Sequence, residues 1–163
     1  MITTILSLGT NRGDRNAYIR AMRAHLEQVM LPPVTYSPLM ETEPVGVSGE
    51  QTWFYNVIMK GTFAGTPKSL LTACQEIEIL LGRDRKGMLK PRTADIDILC
   101  IDDCVIDEAG LIVPHSQILN RRFCIEGIYA VAPQWVYPIT GVTFEVLHRN
   151  MGTDIQDQKI HFI

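Results

Sequence analysis

Residues 94–101 read Ala94-Asp95-Ile96-Asp97-Ile98-Leu99-Cys100-Ile101, a run in which carboxylates alternate with isoleucine before the chain turns wholly apolar. An alternation of period two belongs to a β-strand, where successive side chains point to opposite faces. Here it sends Ile96 and Ile98 into a core and Asp95 and Asp97 together onto the other face. Working back from this strand, Thr66-Pro67 is a helix start, and Leu70, Leu71, Cys74, Ile77 and Leu81 supply one apolar face that Gly82 closes. Further upstream, 53–63 and 34–39 read as strands. A helical pattern of Ile19, Met22, Leu26, Val29 and Met30 follows a candidate N-cap at Asp14 and stops at Pro32-Pro33. The chain opens with a buried strand over 3–8 that turns sharply at Gly9.

The order strand-helix-strand-strand-helix-strand folds most simply as two split units with both helices on one face of a mainly antiparallel sheet. The fold class expected is therefore α+β, a ferredoxin-like core with a C-terminal extension. In that extension Asp107-Glu108-Ala109-Gly110 reads as a hairpin turn and 116–131 as helical with a break near Asn120, while Pro133, Pro138 and Gly141 punctuate the rest. Fold class alone assigns no activity.

The chain has 163 residues, the size of one domain, so 1–163 is expected to be a single unit. Its 15 basic and 18 acidic residues leave a net charge of −3, with no global field to hold nucleic acid or an anionic membrane. No apolar run approaches the roughly 20 residues that span a bilayer, and the start lacks the basic cluster of a signal peptide. A cytoplasmic location is expected. Cys74, Cys100, Cys104 and Cys124 form no Cys-x-x-Cys pair and none has a zinc-finger partner, so they read as free thiols. The segment Gly9-Thr10-Asn11-Arg12-Gly13 lacks the lysine of a P-loop, so any polyphosphate must be held otherwise.

Chemistry concentrates around the first strand quoted. Two carboxylates two residues apart on a strand lie about 6 to 7 Å apart on one face, and a divalent cation shared with substrate phosphates relieves their repulsion. A solvent-facing polar strand edge gives the same pattern. The preceding ten positions, 83–92, hold Arg83, Arg85, Lys86, Lys90 and Arg92, five of the chain's 15 basic residues. A cationic loop leading into paired metal-ligand carboxylates suits polyphosphate transfer, although charge runs are usually solvated. On another strand Phe54 and Asn56 share a face, an aromatic plate beside an amide that both donates and accepts; an aromatic core position with a polar rim is the plainer explanation. Gln75 and Glu78 lie three apart on the second helix, where a solvated face is the default. His115 follows Pro114 and precedes Asn120-Arg121-Arg122-Phe123, a second gathering of cations with an aromatic; His25 and His148 have no such setting.

Taken together, Leu8-Gly9-Thr10-Asn11, Thr42-Glu43-Pro44-Val45-Gly46, Phe54-Tyr55-Asn56, Glu78-Ile79-Leu80-Leu81-Gly82-Arg83, Pro91-Arg92-Thr93-Ala94-Asp95-Ile96-Asp97-Ile98-Leu99 and Val113-Pro114-His115 resemble the 6-hydroxymethyl-7,8-dihydropterin pyrophosphokinase family over nearly the whole chain. The resemblance implies transfer of pyrophosphate from ATP to a pterin in folate biosynthesis. It implies Asp95 and Asp97 as ligands of two Mg²⁺ ions, Arg83 and Arg92 as catalytic cations, and Arg85, His115 and Arg121 on the ATP phosphates. Leu71, Gln75, Glu78 and Ile98 would line the nucleotide site. Phe54 and Phe123 would sandwich the pterin, Asn56 would read its edge, and groups around Thr42, Glu43, Val45 and Gly46 would complete the pocket. The implied partners are these small molecules, with no nucleic acid, no membrane and a monomeric chain. The sequence departs from the family at Leu89-Lys90, where Trp-Gly is usual, at Glu43, where Pro is usual, and at Phe54, where Tyr is more familiar. Loops 43–52 and 83–93 are expected to close over the site. Two rivals remain open at this point: a metal-dependent nucleotidyltransferase, and a non-catalytic ferredoxin-like binding module.

Overall fold

In chain order the elements are β1 (Ile2–Thr10), α1 (Arg15–Val29), β2 (Met30–Tyr36), β3 (Met40–Thr42), β4 (Phe54–Phe63), α2 (Pro67–Leu80), β5 (Asp95–Ile101), β6 (Ile106–Glu108), β7 (Leu111–Val113), a 3-10 turn (Ile118–Asn120), α3 (Arg122–Val131), β8 (Val136–Tyr137), β9 (Val142–Thr143), α4 (Phe144–Arg149), α5 (Thr153–Gln156) and β10 (Ile160–Phe162). This is a computed structural model, and it describes residues 1–44, 52–82 and 93–163. The main sheet runs β10-β3-β4-β1-β5, with β2 also paired to β4, and every pairing in it is antiparallel. The expected strands and helices come in the expected order, with two corrections: the second strand runs over Met30–Tyr36 rather than 34–39, and the short β3 is added between it and β4. Among the described residues no helix is long and apolar enough to cross a membrane.

Local chemistry explains the element ends. Asp14 caps α1, its Oδ1 accepting from the Ala17 N–H at 2.9 Å. Thr66 and Ser69 form a reciprocal capping box at α2, with Pro67 at the first helical position, where its missing N–H costs nothing. Helix α1 ends at Val29, and Met30, which fits the helical spacing, instead opens β2. The two prolines explain the shift: they cannot continue a helix, and the register against β4 jumps between Leu31 and Thr35, so they occupy an irregular edge where no ladder donor is required. The 107–110 turn does close a hairpin, β6 to β7, with Gly110 at φ +85°, a left-handed conformation that L side chains rarely adopt.

The sheet carries a core on each face. On one side Leu6 and Leu8 of β1, Val57 and Met59 of β4, and Ile96 and Ile98 of β5 pack against Ile19, Met22 and Leu26 of α1 and Leu70, Cys74 and Ile77 of α2. Both core helices thus share one face, as expected. On the other side Ile5, Met40, Ile58, Leu99 and Cys100 meet Cys124 and Ile128 of α3 and Phe144 of α4. The C-terminal extension therefore roofs the second face rather than trailing from it. Gly127 makes the roof close: a Cβ there would run into Ile58 and would stand 3.1 Å from Met40 Cε. All four cysteines are free.

Candidate active site

Helix α3 covers only part of the second face, and the polar residues lie on that same face toward the end where β3 meets β4. The register places Asp97 opposite Ser7, and Asp95 opposite Gly9, which in turn faces Asn56 on β4. Asp95, Gly9 and Asn56 thus form one row across three strands. Gly9 has a steric reason to be glycine, since a Cβ would sit 3.1 Å from Asn56 Oδ1 and 3.9 Å from Asp95 Cβ, filling the space between amide and carboxylate. On the opposite face, between the two aspartates in sequence, Ile96 is buried in the first core. Its N–H donates to Glu78 Oε1 of α2 at 2.7 Å, which fastens the edge strand to the helix.

Two carboxylates on one strand face are a hard-oxygen donor set that suits Mg²⁺, which keeps its other positions for water and phosphate oxygens. Among the described residues no group of three or more metal-ligating side chains converges, so protein alone does not complete a coordination shell. The pair fits a cation that arrives with, or is completed by, an anionic substrate.

Beside this row lies the flat-ring end of the site. Asn56 is buried, and its Nδ2 donates to Thr42 Oγ1 at 2.8 Å, which fixes the amide with one donor committed and Oδ1 on the Gly9 side. Phe54 shares the strand face of Asn56 and pairs with Thr42. Phe123 stands in the first turn of α3 and packs against the second core. Gln158 binds the start of α3 while the next residue, Lys159, pairs with Glu43, so that helix start lies at the Thr42–Phe54 end of the sheet. Glu43 accepts the Lys159 N–H at 2.9 Å through Oε1 and donates its own N–H to the Lys159 carbonyl at 3.3 Å.

Cationic and imidazole groups border the carboxylates. His115 donates its backbone N–H to the Leu99 carbonyl at 2.9 Å, and its Nδ1 accepts from Gln117 N–H at 3.2 Å. In a neutral ring that leaves the proton on Nε2, a donor. Arg121 is the N-cap residue of α3 and is half-buried. Burial pushes the Cys124 thiol well above its ordinary range, while the charge of Arg121 pulls it down and that of Asp97 pushes it up.

The nucleotide-side residues divide. Gln75 is exposed, Leu71 is half-buried, and Glu78 is buried. The solvated-face expectation holds for Gln75 and is corrected for Glu78, whose carboxylate the Ile96 N–H draws inward. Ile98 is buried against α2 in the first core, across the sheet from Asp95 and Asp97. Val45, Gly46, Arg83, Arg85, Arg92, Leu89 and Lys90, and the greater part of loops 43–52 and 83–93, lie outside the described residues.

Two sets of contacts escape sequence reasoning. Arg15 of α1 donates from Nη1 to Glu41 Oε1 and to the Trp53 carbonyl, both at 2.7 Å, with its guanidinium 3.8 Å from the centre of the Tyr55 ring. It ties β3 to the start of β4 from behind the Asn56 face. Gln158 and Arg122 join the C-terminal segment to the start of α3. Neither pairing leaves a local periodic signal.

Known proteins resemble this chain in sequence and in fold. Residues 5–133 match the family described as 7,8-dihydro-6-hydroxymethylpterin-pyrophosphokinase (HPPK). The chain is similar to the 2-amino-4-hydroxy-6-hydroxymethyldihydropteridine pyrophosphokinase of Bacillus subtilis, 38% identical over 130 residues that cover 79% of this chain and 77% of that one. The Aquifex aeolicus protein of the same name is 32% identical over 139 residues, covering 85% and 86%. The folic acid synthesis protein fol1 of Schizosaccharomyces pombe is 35% identical over 136 residues, 83% of this chain but only 18% of its own length. The chain likewise spans 37% of the bifunctional protein FolKE of Lactococcus lactis, so it covers well under half of these longer relatives. In fold, the HPPK-DHPS protein of Plasmodium falciparum aligns with a TM-score of 0.75 at 17% identity, over 96% of this chain and 46% of that one. With the match running from β1 into the segment after α3, and with relatives of similar length aligned over most of both chains, the chain belongs to the 7,8-dihydro-6-hydroxymethylpterin-pyrophosphokinase family.

Proposed function

We propose that residues 1–163 form one pyrophosphokinase domain that transfers pyrophosphate from ATP to the hydroxymethyl oxygen of 6-hydroxymethyl-7,8-dihydropterin, leaving AMP, as a monomer in the cytoplasm. The observation that carries the reading is the row Asp95–Gly9–Asn56, a carboxylate and a clamped amide on either side of a glycine whose Cβ would crowd the amide oxygen. A nucleotidyltransferase or an inert binding module would use a carboxylate pair or an aromatic pocket, but neither calls for both at this spacing on one face.

In this reading Asp95 and Asp97 hold two Mg²⁺ ions, which neutralise phosphate charge and favour in-line displacement. Asn56, oriented by Thr42, reads the pterin edge, while Phe54 and Phe123 stack on its faces and keep water from them. Backbone around Glu43, with Val45 and Gly46, closes the pterin side. Arg121 and the Nε2–H of His115 meet the ATP phosphates together with Arg85, and Arg83 and Arg92 stabilise the group in flight. Leu71, Gln75, Glu78 and Ile98 mark the strand edge and helix against which the nucleoside rests. The chain's main contribution is to hold the hydroxymethyl oxygen in line with the β-phosphorus.

The test is the identity of the products. Incubation with ATP, Mg²⁺ and 6-hydroxymethyl-7,8-dihydropterin is expected to yield AMP and pterin diphosphate in equal amounts. ADP as nucleotide product would make the protein an ordinary kinase. Free pyrophosphate with an AMP-linked pterin would make it a nucleotidyltransferase, and no pterin-dependent turnover would leave a binding module.

A further inference from the structure

The first turn of α3 carries both Arg121 and Phe123, yet the helix has no cap of its own: Arg121 at the N-cap makes no side-chain capping bond. A helix start leaves its first N–H groups unsatisfied unless a partner is supplied. Here the partner comes from 36 residues downstream. Gln158 Oε1 accepts the Arg122 N–H at 2.9 Å, and its Nε2 donates to the Asn120 carbonyl at 2.8 Å, so one carboxamide grips the peptide groups on both sides of Arg121. Arg122 answers with its guanidinium, donating from Nη1 to the Gln156 carbonyl at 2.6 Å and the Gln158 carbonyl at 3.2 Å, and from Nε to Glu126 at 3.2 Å.

The same segment reaches the other wall of the pocket. Lys159 exchanges hydrogen bonds with Glu43, β10 pairs with β3 from Ile160 opposite Thr42 to Phe162 opposite Met40, and His161 packs on Trp53 with ring centres 5.2 Å apart. Residues 156–162 therefore bind the corner that presents Arg121 and Phe123 to the strand end that presents Thr42, Asn56 and Phe54. The segment that makes these contacts, 156–162, lies beyond residue 133, where the family match stops, while its partners lie within the match.

We propose that Gln158 is a positioning residue of this pyrophosphokinase, a helix cap supplied from a distant part of the same chain that sets Arg121 and Phe123 against the Thr42–Asn56 wall. It touches neither substrate, and the proposal rests on the function proposed above. Gln158→Leu keeps the bulk and removes both hydrogen bonds, whereas Gln158→Glu keeps the acceptor for the Arg122 N–H and loses the donor. Amide hydrogen exchange over 120–124 is the readout independent of activity: Gln158→Leu is expected to lose protection at Arg122 by tenfold or more, with protection in β1 and β4 unchanged. In turnover it is expected to raise the pterin KM about tenfold with a smaller change in kcat, and Gln158→Glu is expected to recover part of that loss. Arg149→Ala, an exposed change on the same extension, serves as the control with wild-type kinetics. Unchanged exchange at Arg122 in Gln158→Leu overturns the cap. Lost protection with wild-type KM overturns the positioning role. Absence of pterin-dependent AMP formation by the wild-type protein would overturn the proposed function instead, and the exchange experiment would still judge the cap.

Discussion

At the scale of single residues, the site depends on what each side chain is prevented from doing. Asn56 has one amide donor occupied by Thr42, and Gly9 leaves its oxygen a clear side, so the amide holds one orientation. Asp95 and Asp97 cannot turn toward the helices, because strand alternation commits that face to Ile96 and Ile98. Asp97→Asn preserves shape and hydrogen-bonding size while removing the charge that a divalent cation requires. It is expected to leave the thermal midpoint near wild type and to cut kcat about a hundredfold or more, measured as AMP release at saturating Mg²⁺. Turnover within a few-fold of wild type would remove Asp97 from the metal set.

At the scale of elements, the decisive contact is between α2 and β5. An edge strand presents N–H groups with no ladder partner, and the Ile96 N–H is met by the buried Glu78 carboxylate. Glu78→Ala leaves that donor unsatisfied and is expected to lower stability by about 1 to 3 kcal/mol in urea unfolding. Glu78→Gln retains an acceptor and should cost less. Equal losses for the two variants would show that the volume of the side chain matters and the bond does not. The period-two pattern made β4, β5 and the shared faces of Phe54 with Asn56 and Asp95 with Asp97 legible in the sequence, and the caps at Asp14 and Thr66 marked both core helices. Strands β3 and β10, three residues each, were not legible, because so short a segment has no period and exists only through its pairing: β3 with β4 and β10, and β10 with β3 across more than a hundred residues. For the same reason Arg15 and Gln158 gave no sign of their partners, and the burial of Glu78 followed from a backbone donor that the sequence does not place.

At the scale of the whole molecule, the protein has two cores with the sheet between them, and its candidate site sits where the second layer stops short. The first core is closed by α1 and α2, so its packing fixes the strands. The second is closed by α3, whose start carries Arg121 and Phe123, so the seating of one helix sets the depth of the pocket. Gly127 controls that seating, because the helix approaches β4 until only a hydrogen fits over Ile58. Gly127→Ala raises intrinsic helix propensity by about 1 kcal/mol. Against this, the added methyl must push α3 away from Ile58 and Met40, and overpacking of a filled core typically costs about 1 to 3 kcal/mol. The steric term is expected to win, with a net loss of stability in denaturant unfolding and weakened pterin binding by calorimetry, since Phe123 rides on the displaced helix. Gly127→Ala with stability at or above wild type would mean that α3 slides freely over the sheet, and the depth of the pocket would then have to be set by the C-terminal segment at Gln158 alone.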